Sequence, residues 1–143
     1  MGMVWLDAGF FPIHYGFCPS EKDWRREMTR LGHPGAPYPA DLGAATELVS
    51  DVLDSACIVT VAERGDAQFK RNKVALATLL CHEAVHVWQV IRKDMGEADP
   101  SHEFEAYAIQ HITEQLCEAY LKTRGAKAAK RPRSPKKRRS RSR

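Results

Sequence analysis

The chain has 143 residues and a mass of 16.1 kDa, 43% hydrophobic and 28% charged, which suffices for one hydrophobic core and excludes two full-sized domains. The formal charge of +4 conceals a split: 11 of the 22 Lys and Arg residues fall in the last 20 positions, from Arg124 onward, where no acid occurs, so residues 1–123 carry a net −7. The sequence pI near 9.0 therefore belongs to the tail and gives no ground for nucleic-acid binding by the folded body. Cysteines at 18, 57, 81 and 117 form no CxxC pair, and the chain opens without a basic-then-apolar leader, so a reduced, cytoplasmic setting is expected. The apolar run from Val74 to Val90 is interrupted by His82, Glu83, His86 and Gln89, which argues against an ordinary spanning helix and for a soluble protein without a membrane partner.

In chain order, residues 4–17 are rich in aromatic and β-branched residues but broken by Gly9, Pro12 and Gly16, which predicts one or two short strands. Ser20 reads as a helix cap with Glu21 and Asp23 in the first turn. Trp24, Met28 and Leu31 then recur at helical spacing, predicting an amphipathic helix over about residues 20–31 with that row in the core. Residues 32–43 hold three prolines and three glycines and read as a loop. Two β-leaning runs, 45–50 and 56–63, are separated by DVLDS and predict a hairpin, with a short helix over the first run as the alternative. Residues 63–72 are polar and read as a loop or a distorted strand end.

Residues 73–95 have helix length, no Pro or Gly, and apolar residues on every side, which predicts a helix at the centre of the domain, ended by Gly96. Asp99 as cap and Pro100 at the first helical position predict a second long helix over about residues 100–122. The remaining 124–143 tail has no apolar face and dense like charge, and is expected to be disordered.

His82-Glu83-Ala84-Val85-His86 is an HExxH sequence within the first long helix. Residues four apart share a helix face, so both imidazoles can reach one zinc ion, while Glu83 points elsewhere on the turn and is placed to take a proton from water as a general base. Two exposed histidines beside an acid would mean nothing more than a polar helix face. The flanking Leu79, Leu80, Val85, Val87 and Trp88 instead imply buried imidazoles whose desolvation a metal would offset. A third protein ligand is usual for a catalytic zinc. Glu105, Glu103 and His102 are the candidates, and helix phase ranks Glu105 first, because it projects from the apolar face set by Phe104, Ala108, Ile112 and Leu116.

LLCHEAVHVWQ, followed 19 residues after the second histidine by Glu105 in SHEFEAYAIQ, resembles the glutamate-liganded zincin metallopeptidases. YGFCPSEKDW, CIVTV, HEAVHVWQ, GEADPS and EFEAYAIQ together resemble small metallopeptidase-like proteins of tailed phages and prophages. The resemblance covers most of residues 4–125 and implies an α+β, zincin-like domain over 1–123, an antiparallel-leaning sheet packed on the HExxH helix, and a hydrolytic zinc site on His82, His86 and a downstream glutamate. It also implies the cytoplasm of a bacterial host. Two departures stand out. Such sites usually carry an acid one turn after the ligand to orient a histidine, whereas here Ile109 follows Glu105 and Tyr107 follows Glu103. His102 before Glu103-Phe104 also faintly resembles histidine-liganded SprT-like proteases.

The reading is thus a zinc-dependent peptidase acting on a peptide or protein substrate. The alternative is a non-catalytic, zinc-stabilised protein acting through its tail, whose basic residues without aromatics would bind nucleic acid through phosphates alone. Gln89 projects near the site face. Tyr107, His102 and His14 are candidates for polarising a carbonyl, and Cys81 reads as buried packing.

Overall fold

A computed structural model describes residues 2–39, 43–50 and 55–125; the tail from residue 126, the loop end at 40–42 and the hairpin turn at 51–54 lie outside the described residues. The chain is α+β. In order it forms β1 (Val4–Trp5), β2 (His14–Cys18), α1 (Glu21–Arg30), β3 (Ala44–Ser50), β4 (Ser55–Val61), a 3-10 turn (Glu63–Gly65), α2 (Asp66–Arg71), α3 (Lys73–Asp94) and α4 (His102–Tyr120), closed by a wider π-type turn (Leu121–Gly125). The sheet order is β1-β2-β4-β3, with β2 and β4 parallel and the other two pairings antiparallel.

Central β4 has both faces covered, which is why it reads as a continuous apolar run and not an alternation. Cys57, Val59 and Val61 join Leu80, Ala84, Val87 and Ile91 of α3 and Ile112 and Leu116 of α4 in the main core. Ile58, on the other face, packs with Trp24 and Met28 of α1, the row expected from helical spacing. Ser20 caps α1 through the Asp23 amide, and the expected hairpin is β3–β4, in register from Ala44 opposite Val61 to Ser50 opposite Ser55.

Three elements differ from the sequence reading. Residues 63–72 form a 3-10 turn and α2 and not a loop, because a single buried anchor, Phe69, holds a stretch too short to show periodicity. The cap of α4 is Ser101, whose hydroxyl accepts the Phe104 amide at 3.3 Å, so Pro100 precedes the cap instead of opening the helix. Arg124, grouped with the tail by its charge, is built into the fold. Only 4% exposed, it donates from Nε to Pro19 O at 3.1 Å, from Nη1 to Asp66 Oδ1 at 3.2 Å and from Nη2 to Val61 O.

Helix α3 ends as expected at Gly96, whose φ of +72° suits glycine. Among the described residues it is the one helix long and apolar enough to cross a membrane. Its apolar stripe is instead covered by protein: Leu76, Leu80, Ala84, Val87, Trp88 and Ile91 are buried, while His82, His86 and Gln89 are exposed.

Candidate metal centre

The two flanks of α3 carry different chemistry. At about 100° per residue, His82, His86, Gln89 and Lys93 share one flank, and Cys81, Trp88 and Arg92 share another. The first flank opens on a cleft of about 900 Å³ whose other wall is β3. Ala44, Ala45, Thr46, Glu47 and Leu48 all line it, and five consecutive strand residues can line one cavity only if the strand presents its edge.

The imidazoles face each other across that cleft, with His86 Nε2 lying 3.1 Å from His82 Nε2 and the rings nearly perpendicular at 80°. His86 Nδ1 lies 3.1 Å from Gln89 Oε1. An amide oxygen only accepts, so Nδ1 carries the proton and Nε2 keeps its lone pair, directed at the second ring. Two nitrogens each about 2.0–2.1 Å from a tetrahedral zinc stand roughly 3.3 Å apart, and the observed separation fits that geometry. Gln89 also occupies the orienting role for which the sequence offered no acid, since a metal-ligating histidine needs an acceptor on its other ring nitrogen.

Glu83 is 4% exposed, and its Oε2 accepts from Thr46 Oγ1 at 2.7 Å. The hydroxyl reaches across from β3 and fixes the carboxylate at the cleft wall, leaving Oε1 free. Thr46 was missed in the sequence because its contact spans 37 residues and no local pattern announces it. The desolvation argument holds for Glu83 alone: the imidazoles are exposed to the cleft, because the apolar residues around them lie on other faces of α3.

Glu105 is half-buried on the face of α4 turned to α3, as helix phase predicts, whereas Glu103, His102 and Tyr107 are exposed. Its carboxylate does not meet the histidines. Oε2 accepts from Trp88 Nε1 at 2.8 Å and lies 3.6 Å from Arg92 Nη1, on the opposite flank of α3, about 200° around the helix from His86. The charge expected opposite this acid is thus Arg92. Among the described residues no three His, Cys, Asp or Glu side chains are close enough to share a metal ion, so the structure brings together His82, His86 and Glu83 and leaves Glu105 apart. Beside Glu83, the carboxylates lining the cleft are Glu47 and Asp94, and none of His14, His102 and Tyr107 lines it.

The cysteines offer no thiolate there. Burial pushes the Cys57 thiol up to about 12 and Cys18 to about 11, the latter partly opposed by its hydrogen bond to Ser20 O. Cys81, expected in the core, is exposed, because it stands on the outer margin of the α3–α4 contact.

Compared with protein-family models, curated proteins and solved structures, the chain matches none of them.

Proposed function

We propose that the chain is a zinc-dependent hydrolase of zincin type that cleaves peptide bonds, with His82 and His86 as metal donors and Glu83 as general base. The observation that carries this reading is the pair of Nε2 atoms 3.1 Å apart at the mouth of a cleft, beside a buried carboxylate with one free oxygen. Zinc, when bound, supplies Lewis acidity toward a carbonyl and lowers the pKa of water. The chain's own groups do the rest. Gln89 holds the His86 tautomer, Thr46 fixes the Glu83 carboxylate, and Glu83 takes a proton from the attacking water and returns it to the leaving amine.

The shape of the cleft supports a peptide substrate. Ala62 N donates to Gly43 O, and antiparallel pairing alternates, so Ala45, Glu47 and Val49 bond to β4 while Ala44, Thr46 and Leu48 turn their N–H and C=O groups away from it. That free edge borders the histidine pair, and an extended peptide can add to it as a further strand. The α+β layout, with an edge strand beside the HExxH helix, supports the zincin assignment.

The test compares wild type with Glu83→Gln on casein and a peptide library, with zinc content measured in both. Glu83→Gln is expected to keep the metal and lose about 10²-fold or more in rate. Equal activity in both forms, or equal inactivity with zinc retained, overturns the catalytic reading; the latter favours a zinc-stabilised binding protein.

A further inference from the structure

Beyond the histidine pair the cleft continues along α3. Strand and helix run side by side here: Thr46 meets Glu83, while Ser50 and Lys93 both line the far end. Leu48 lies about 6.6 Å along the strand from Thr46, and Val90 about 10 Å along the helix from Glu83, so the two stand across the cleft one step past His86. Ile13, 3% exposed and just ahead of β2, also lines this part of the cavity. Leu48 is 50% exposed, although edge strands usually carry charge where their side chains face water. An apolar side chain left open on an edge, beside a second one on the helix, leaves apolar surface that only an incoming group can cover.

We propose that Leu48, Val90 and Ile13 form the specificity pocket of this site. It takes one aliphatic or aromatic side chain of an extended peptide, within two residues of the cleaved bond and always on the same side of it. The argument rests on the peptidase reading for what occupies the cleft. Side chains of a strand added to β3 alternate, and those on the face shared by Thr46 and Leu48 turn toward α3. One of them, a step beyond the residue at Glu83, enters between Leu48 and Val90. Lys93 and Asp94, at the far end of the cavity, limit the depth of the apolar part.

Two measurements test the pocket, one of them independent of catalysis. First, cleavage of a proteome-derived peptide library is profiled by mass spectrometry for wild type, Leu48→Ala and Leu48→Arg. Wild type is expected to enrich Leu, Ile, Met or Phe at one position on one side of the cut, Leu48→Ala to weaken that enrichment, and Leu48→Arg to shift the position toward Asp and Glu. Second, calorimetry follows N-acyl-leucine, N-acyl-glycine and N-acyl-aspartate hydroxamates binding to zinc-loaded Glu83→Gln protein. The leucine compound is expected to bind about 10-fold or more tightly than the glycine compound, as burial of one aliphatic side chain requires. Leu48→Arg in the same background should reverse the order of leucine and aspartate.

Equal binding of all three hydroxamates, no binding of any, or an unchanged preference in Leu48→Arg overturns the pocket. Leucine preference in binding without hydrolysis by wild type upholds the pocket and removes the peptidase reading. Hydrolysis without positional preference does the opposite.

Discussion

The flank of α3 that meets α4 and the flank that meets β3 both carry polar side chains, and they resolve them in opposite ways. Toward α4, the Trp88 indole N–H has the Glu105 carboxylate as its acceptor and Arg92 lies beside the same oxygen, so donors meet acceptors and the flank is complete within the protein. Toward β3, two imidazole nitrogens point at each other, and a deprotonated pair at that distance repels unless a proton or a metal lies between them. A polar cluster that satisfies itself is structure; one that converges on a shared vacant point is a site. The same helix provides both, and only the partner element decides which is which.

Removing the supports of the open flank should have the largest effects. Gln89→Ala frees the His86 ring and is expected to weaken zinc binding by about 10–100-fold in a competition titration with a chelator. Thr46→Val leaves the Glu83 carboxylate without its donor, and is expected to lower kcat about 10-fold with KM little changed, with Thr46→Ser restoring it. An equal loss in Thr46→Ser would assign the residue to packing instead. On the closed flank, Glu105→Ala orphans the Trp88 N–H and should cost about 1–3 kcal/mol of stability by denaturant unfolding, with zinc loss well below that of either histidine variant. A zinc loss on the histidine scale would move Glu105 from the packed flank into the site.

The sequence made the helices, the hairpin and the HExxH pair legible because each rests on short-range regularity: caps, period, and two residues one turn apart. Helix phase likewise put Glu105 on the inner face of α4 correctly. It could not say which flank of α3 that face would meet, since this depends on how two helices cross, and the partner of a buried acid is a tertiary fact. Thr46 was hidden for the same reason, being held to Glu83 across 37 residues of chain. Arg124 was hidden differently: its neighbours in sequence are basic, so composition masked a guanidinium whose partners, Pro19, Val61 and Asp66, are distant in the chain.

The central claim is that His82 and His86 are poised for one metal ion, and metal analysis of freshly purified, unchelated protein tests it most directly. About one zinc per chain in wild type, lost in His82→Ala and in His86→Ala while far-UV circular dichroism is retained, is the expected result. Wild-type protein without zinc, or histidine variants that keep it, would contradict the account.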